Sequence, residues 1–347
     1  MPYCGISGVL KLEKKTFHNY GKLDNDTLSH DILGKIENHR TFLGPKAGVD
    51  YGIYSSEKEK IIMTTDPLSC HKSLGLNFAA KFGFHIVLTD FLTSGNFPEY
   101  MSVTLTLPVD FTSTMMDQYW TSFTEEAKAW SIDIVTGHTG RYPSVKLPLI
   151  GSVTMCGQMR KEPPDISKMN SGDHIYLIGI PGIQAAVVLS SYDEDSDKSI
   201  LKEIIAMKDE MIATYKLKKI LEYFKETDGI LYIHDVTEGG LVVASNEISS
   251  LAGRDLYLHS KNLNGNAKVI SYLNTFGIDW LETTSEGCIM LVVTKEASPD
   301  FENFMRTNHI DFSIAGYFLD RKNGKVLLDG NIWESKDGDP YWGVINK

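Results

Sequence analysis

Segments with the periodicity of β-strands alternate with helical segments along most of the chain. Residues 101–107 alternate apolar and polar side chains, which predicts a strand with one buried face. Helical spacing follows over residues 113–130, and the apolar residues 132–136 predict another strand. The same alternation recurs after residue 172, so the sequence predicts a mixed fold of the α/β or α+β class.

Further elements are predicted from shorter patterns. Helical spacing occurs over residues 24–39 and over residues 241–251, which follow Gly239-Gly240. Apolar runs predict strands over residues 61–65, 86–89, 174–180, 229–233 and 288–293. Asn323-Gly324, between the apolar residues 314–319 and 326–328, predicts a β-hairpin because a type I′ turn needs positive φ at both positions.

A polar segment near the midpoint divides these elements into two groups. Residues 158–172 contain Pro163-Pro164 and Ser171-Gly172, which disfavour both helix and strand. We therefore predict two lobes of similar size, over residues 1–160 and 165–347. A chain of 347 residues is long enough for each lobe to bury a core.

The charge balance restricts the classes of partner. There are 34 Lys and Arg residues against 45 Asp and Glu residues, which gives a net charge of −11 with His neutral. This balance disfavours nucleic acid as a partner, since affinity for its phosphates comes from Lys and Arg. The sequence also has no apolar run of about 18 residues and no secretory leader pattern at Met1, so we expect a cytoplasmic protein with no membrane partner.

Several common catalytic motifs are missing from the sequence. It contains no P-loop, no dinucleotide-binding glycine pattern, no nucleophile elbow and no HExxH zinc motif. The four cysteines, at positions 4, 70, 156 and 288, are far apart and form no CxxC pair. We expect them to be buried free thiols.

Aspartates recur beside predicted strands. Asp66, Asp90 and Asp235 each follow such a strand, and Asp50 lies between Gly48 and Gly52. Carboxylates that converge repel one another unless a cation compensates, and Mg²⁺ suits them because it binds carboxylate and phosphate oxygens. The same residue type is also typical of turns and helix caps, so spacing alone leaves both interpretations open.

Two short segments have features of phosphate-binding loops. Residues 234–241 read His-Asp-Val-Thr-Glu-Gly-Gly-Leu, where paired glycines precede a helix whose N-terminal N–H groups favour anions. In Gly137-His138-Thr139, the threonine hydroxyl is a potential donor to phosphate. For residues 234–241, the alternative is a helix start that Thr237 caps. For Gly137-His138-Thr139, the alternative is an ordinary turn.

Residues 234–241 resemble the His-Asp-Pro-Thr-Arg-Gly-Gly signature of the aminoimidazole-ribonucleotide (AIR) synthetase superfamily. Other elements of that family occur in the same order between residues 44 and 320. They are Gly48-Val49-Asp50, Thr64-Thr65-Asp66-Pro67, Thr89-Asp90, Thr136-Gly137-His138-Thr139, Ser245-Asn246-Glu247-Ile248 and Ser285-Glu286-Gly287. The superfamily includes hydrogenase-maturation carbamoyl dehydratase, selenophosphate synthetase, thiamine-monophosphate kinase and formylglycinamidine-ribonucleotide synthetase.

The resemblance implies a fold, a cofactor and a set of site residues. The fold would have an N-terminal lobe that joins a second subunit in a shared β-barrel, and a C-terminal α/β lobe beside it. ATP and Mg²⁺ would lie between the lobes of a homodimer and activate a small substrate, or a group on a carrier protein, by phosphoryl transfer. Asp50, Asp66, Asp90 and Asp235 would be metal ligands or their neighbours, and Gly137, His138, Thr139 and Asp90 would lie near the nucleotide.

The chain departs from the family pattern at three motif positions and at its end. Val49 replaces the first acid of an Asp-Asp pair, Thr89 replaces Asn, and Glu238 replaces Arg. The sequence ends in Val-Ile-Asn-Lys, without the cysteine that ends the carbamoyl dehydratase. We therefore expect a ligase-, dehydratase- or kinase-like enzyme nearest the hydrogenase-maturation branch. The alternative is a degenerate member, in hydrogenase maturation for example, that binds a nucleotide or a partner without turnover.

Overall fold

The computed structural model describes residues 33–36, 41–46, 48–55, 59–335 and 338–345. Over these residues the chain forms two β-sheets and nine α-helices, which confirms the predicted mixed α/β class. Cys4 and most of the helix predicted over residues 24–39 lie outside them; Leu33–Lys35 forms a short 3-10 helix. No helix within the described ranges is long and apolar enough to cross a membrane.

The first sheet is built from the first half of the chain. Its strands are β1 (Thr41–Leu43), β2 (Gly52–Ser55), β3 (Lys60–Ser69), β4 (Tyr100–Leu107), β5 (Asp133–Arg141) and β6 (Leu149–Gln158). They lie in the order β1-β2-β3-β6-β4-β5, in which β4 and β5 are parallel and all other neighbours antiparallel. The alternation predicted in residues 101–107 is confirmed, because every second side chain of β4 is buried.

The second sheet is built from the second half of the chain. Its strands are β7 (His174–Ile178), β8 (Ile230–Val236), β9 (Leu256–Leu258), β10 (Cys288–Val293), β11 (Ser313–Phe318), β12 (Val326–Leu328) and β13 (Asn331–Ile332). They lie in the order β13-β12-β9-β11-β7-β10-β8, so β8 is at one edge. Three predicted strands are thereby confirmed as β7, β8 and β10.

Two helices belong to the first half and seven to the second. They are α1 (Leu76–Thr93), α2 (Ser113–Ala129), α3 (Ile183–Tyr192), α4 (Lys198–Ile205), α5 (Thr214–Glu226), α6 (Gly240–Ala252), α7 (Ala267–Thr275), α8 (Ser298–Thr307) and α9 (Pro340–Ile345). The helices predicted over residues 113–130 and 241–251 are confirmed as α2 and α6.

Helix α1 joins the two sheets through a common hydrophobic core. Its fully buried Phe84 and Phe91 belong to the same apolar cluster as Ile233 of β8 and Ile289 of β10. The strand predicted over residues 86–89 is therefore wrong. A helix that is apolar on nearly every side has no amphipathic period, so a short run within it resembles a buried strand.

The hairpin predicted at Asn323-Gly324 is also wrong. β9 lies between β11 and β12, and pairs antiparallel with the former and parallel with the latter. Asp255, just before β9, accepts hydrogen bonds from the backbone N–H groups of Asn323 (3.2 Å) and Lys325 (3.1 Å). These bonds hold the turn beside β9, so that β12 pairs with β9 rather than with β11.

Three strands extend further than predicted and include candidate site residues. β3 and β8 continue through Asp66 and Asp235, so neither aspartate follows its strand. β5 continues through Gly137-His138-Thr139, so the loop predicted there is wrong. The glycine is needed within this strand, because a Cβ at Gly137 would lie 2.4 Å from the Val103 carbonyl oxygen of β4.

The three described cysteines are free thiols. Cys70 and Cys288 are buried, as predicted, whereas Cys156 is half-buried. Burial raises the pKa of the Cys70 thiol to about 12, which keeps it protonated and unreactive at neutral pH.

The connection between the sheets is fixed by hydrogen bonds to both halves. Asn96 Oδ1 accepts from the backbone N–H groups of Arg160 (2.9 Å) and Lys161 (3.0 Å). The ammonium of Lys161 donates to the carbonyl oxygen of Thr227 (3.0 Å), just beyond α5. The connection therefore has a defined path, and the division into lobes over residues 1–160 and 165–347 stays a prediction.

Candidate functional site

The four predicted aspartates converge between the two sheets, although they come from different elements. Asp50 lies between β1 and β2, Asp66 on β3, Asp90 on α1 and Asp235 on β8. The Thr64 hydroxyl donates to the Asp50 carbonyl oxygen (2.8 Å) and lies 3.5 Å from Asp90 Oδ2. Carboxylate oxygens of Asp50 and Asp235 lie within 4.8 Å of each other.

The electrostatics of Asp90 show that a fifth carboxylate belongs to this cluster. Burial raises the pKa of Asp90 well above its usual range, and the charges of Asp235, Asp66, Asp50 and Glu286 raise it further. Like charges held this close disfavour ionisation. A cation among them would remove that penalty, which makes the cluster a candidate metal centre.

Glu286 is absent from the predicted ligand set. Its backbone N–H donates to Gln184 Oε1 at 3.1 Å, and the Thr284 hydroxyl donates to the same oxygen. Gln184 is in the first turn of α3, so this turn holds the segment that presents the Glu286 carboxylate. The family-like element Ser285-Glu286-Gly287 is the sequence signal that could have identified it.

His234 lies between two carboxylates at the border of the cluster. Its Nδ1 is 3.0 Å from Asp50 Oδ2, and its Nε2 is 3.0 Å from Glu247 Oε2. Burial alone lowers the pKa of His234, but Asp50, Glu247 and Asp235 raise it to about 10. The ring is therefore an imidazolium at neutral pH, and both of its N–H groups donate. In this state it supplies positive charge, and both of its nitrogens are paired with carboxylates; a nitrogen of this ring also lies within 4.8 Å of the Asp50 and Asp235 carboxylate oxygens.

The paired glycines Gly239-Gly240 begin α6 in left-handed conformations, with φ of 76° and 64°. The Gly239 N–H donates to Asp339 Oδ2 at 2.9 Å, and the Thr283 hydroxyl donates to Asp339 Oδ1 at 2.7 Å. The Asp339 carboxylate therefore occupies the N-terminus of α6, where the sequence predicted a phosphate site. Gly239 is the N-cap, so the alternative cap at Thr237 is wrong.

The segment Gly137-His138-Thr139 lies away from the aspartates. One row of paired residues crosses the first sheet through Asp66, Val153, Val103 and Gly137. Three strand spacings, about 14 Å, therefore separate Asp66 from Gly137. The segment instead lines a groove of about 280 Å³ beside Trp120 of α2. Gly137 and Asp66 are therefore not in contact within one chain.

Two family models match the chain. Residues 48–159 match the N-terminal domain of AIR synthase related proteins, and residues 170–329 match their C-terminal domain. All five carboxylates of the cluster lie within these matches. The chain therefore belongs to the AIR synthase related family, as the order of its motifs predicts.

Individual relatives include hydrogenase-maturation proteins. Carbamoyl dehydratase HypE of Escherichia coli strain K12 is 22% identical over 242 residues, which cover 68% of this chain and 69% of that protein. A solved HypE–HypF complex has a TM-score of 0.69 at 18% identity, covering 90% of this chain and 99% of that chain.

Two other solved structures contain nucleotides. The hydrogenase maturation protein HypE in complex with ATP has a TM-score of 0.62 at 17% identity, covering 93% of this chain and 98% of that chain. AaThiL complexed with AMPPCP and TMP has a TM-score of 0.64 at 16% identity, covering 83% and 92%. At these identities the solved structures show that the fold is shared.

Proposed function

We propose that this protein is an ATP- and Mg²⁺-dependent enzyme that activates an acceptor by phosphoryl transfer. The observation that carries the proposal is the convergence of Asp50, Asp66, Asp90 and Asp235 with Glu286. This arrangement is unfavourable without a cation. Its hard oxygen donors fit Mg²⁺, which takes carboxylate, water and phosphate oxygens.

In this proposal Asp50, Asp66, Asp90 and Asp235 hold the ion. A bound Mg²⁺ would neutralise negative charge on the phosphates. The chain's own contribution is to place carboxylates from four elements around one point and to hold their charge away from water. Asp235 and Glu286 are 3% and 4% exposed, so their fields are screened less than those of surface groups.

We propose ATP as the nucleotide, with Gly137, His138, Thr139 and Asp90 in its surroundings. The relatives solved with ATP and with AMPPCP support a nucleotide. The groove beside β5 offers room next to the first three residues. Because about 14 Å separate Gly137 from Asp66 in one chain, a nucleotide must span that distance or a second copy must bring the two residues together.

We propose that the protein is a homodimer in which two chains share a β-barrel, as the family resemblance implies. β5 is at the edge of the first sheet, nearly all of its residues are exposed, and Val135 is 61% exposed. An exposed strand of this kind is a template for pairing with another chain. Sedimentation equilibrium at micromolar concentration should give the mass of two chains. The Val135→Lys substitution should shift the measured mass toward that of a single chain.

The matched control for the dimer is Ile200→Lys on α4, which adds the same charge at a residue of similar exposure outside the first sheet. It should leave the mass at two chains. A wild-type protein that sediments as a monomer would contradict the dimer, as would equal effects of the two substitutions.

The acceptor is, in our proposal, a small molecule or a group on a carrier protein. The HypE–HypF complex supports a protein partner, and the HypE relatives support a role like that of hydrogenase-maturation enzymes.

The second candidate function is nucleotide binding without turnover. Glu238 in place of the family Arg and Asp339 at the start of α6 favour it, because both place negative charge where phosphate would need positive charge.

Isothermal titration calorimetry with ATP tests the proposed cofactor. We expect the wild type to bind ATP when Mg²⁺ is present, and about tenfold or more weakly without it. Asp66→Asn should weaken Mg²⁺–ATP binding at least about tenfold, the range typical for removal of groups that hold or orient a metal. Asp228→Asn, a fully exposed residue beside Lys161, is the matched control and should bind like the wild type.

Absence of ATP binding by the wild type, or unchanged binding by Asp66→Asn, would contradict the proposed cofactor site. A phosphate-release assay separates the two candidate functions. Release above background that Asp66→Asn abolishes indicates an enzyme, whereas tight binding with no release from any tested acceptor indicates a binding protein.

A further inference from the structure

The loop that carries Asp50 rests on elements of the second sheet. The Tyr232 hydroxyl of β8 donates to the Gly48 carbonyl oxygen. A Cβ at Gly48 would lie 2.8 Å from Leu251 Cδ1 and 3.2 Å from Glu247 Cβ, both on α6. Gly48 itself has a φ of +75°, so glycine is needed both for the backbone conformation and for the close approach. The position of this loop is therefore set from across the site.

Asp50 is held at two points by two different sheets. Thr64 of β3 binds its backbone carbonyl oxygen, and His234 of β8 binds its carboxylate at 3.0 Å. The second nitrogen of His234 binds Glu247 of α6, also at 3.0 Å. Glu247, His234 and Asp50 thus form a continuous hydrogen-bonded chain from α6 to the carboxylate cluster.

Glu247 has a different part in this chain from the cluster carboxylates. It touches the ring nitrogen that points away from Asp50, so its hydrogen bond reaches the cluster through the ring. A ring bound at one nitrogen can still tilt, whereas a second charge-assisted hydrogen bond fixes its orientation. The Glu247 carboxylate therefore determines where the His234 Nδ1–H points.

We infer that Glu247 and His234 are a positioning pair, which fixes the Asp50 carboxylate for the metal ion without ligating it. The inference rests on the proposed function, since it assigns a role around the same ion. It also gives α6 a role in the site, because this helix orients, through Glu247, a carboxylate of the first half of the chain. Partners behind metal-binding residues commonly act in this way.

Mn²⁺ binding, followed by electron paramagnetic resonance of the free ion, tests the inference in the full chain. Glu247→Gln should weaken Mn²⁺ binding about tenfold, the usual cost of losing such a partner. Asp50→Asn should weaken it more. The double variant should lose clearly less affinity than the sum of the two single losses, because Glu247 acts through His234 on the Asp50 carboxylate and coupled residues are not additive.

Glu302→Gln is the matched control, since it removes the same charge from a residue paired with Arg306 on α8. It should leave Mn²⁺ affinity unchanged, and thermal unfolding should show that every variant is folded. Unchanged affinity in Glu247→Gln, or additive losses in the double variant, would overturn the positioning role alone. A wild type that binds no Mn²⁺ would instead overturn the proposed metal site and this inference with it.

Discussion

The Asp90→Asn variant is expected to lose all stabilisation by Mg²⁺ and ATP, yet to be at least as stable as the wild type without them. Burial and four neighbouring carboxylates raise the pKa of Asp90, so its charged form is unfavourable in the metal-free fold. Asparagine removes the charge and keeps the size of the side chain. The ion that would compensate the carboxylates then loses one of its proposed ligands.

Chemical unfolding with and without Mg²⁺ and ATP measures both effects. A ligand at 100 times its Kd stabilises the fold by about 2.7 kcal/mol, and Asp90→Asn should lack this gain. Asp228→Asn should retain it, and addition of EDTA should remove it from the wild type. A variant that is much less stable without ligand, yet still gains stability from Mg²⁺ and ATP, would show that Asp90 is a structural residue.

The Gly240→Ala variant is expected to be destabilised by about 3 kcal/mol or more, in the range of severe overpacking and strain. Its Cβ would lie 2.6 Å from the Thr283 carbonyl oxygen, 2.7 Å from the Leu281 carbonyl oxygen and 2.7 Å from the Thr283 nitrogen. These are backbone atoms and cannot rotate away. Relief would require movement of the segment that leads to Glu286, so Mg²⁺–ATP binding should weaken as well.

Gly253→Ala at the other end of α6 is the matched control for this effect. Gly253 has a φ of +62°, close to the +64° of Gly240, but among the described residues no heavy atom beyond its chain neighbours lies within 4 Å of its Cβ. It should cost only about 1 kcal/mol, the penalty of a left-handed residue. If urea unfolding shows equal losses of unfolding free energy for Gly240→Ala and Gly253→Ala, the backbone conformation, and not the close approach, determines the effect.

The sequence predicted elements with one buried face and the short buried strands β7, β8 and β10, but it missed a helix that is buried on nearly every side. β4 and α2 each have one buried face, so their periods of 2 and 3.6 are visible in the sequence. α1 is buried nearly all round and carries no such period, which is why residues 86–89 suggested a strand. The hairpin prediction at Asn323-Gly324 was wrong for another reason. The local sequence of the turn does not show that Asp255 binds this segment and places it beside β9.

The order of family motifs grouped four aspartates that the structure brings together, whereas the grouping by strand ends rested on wrong element boundaries. The motif order placed Asp50, Asp66, Asp90 and Asp235 in one cluster, although Asp90 lies within a helix and two others lie within strands. Residue spacing contains no information on which elements meet across two sheets. For the same reason, the sequence could suggest a nucleotide-binding role for Gly137-His138-Thr139, but it could not predict that Gly137 lies about 14 Å from Asp66.

Anomalous diffraction from crystals grown with Mn²⁺ and AMPPCP would locate the ion itself and so test the proposed metal site. We predict a peak bonded to carboxylate oxygens of Asp50, Asp66, Asp90 and Asp235, with phosphate oxygens of the nucleotide completing its coordination. A nucleotide bound without a peak among these four carboxylates, or an ion held at a different part of the chain, would contradict the proposed site.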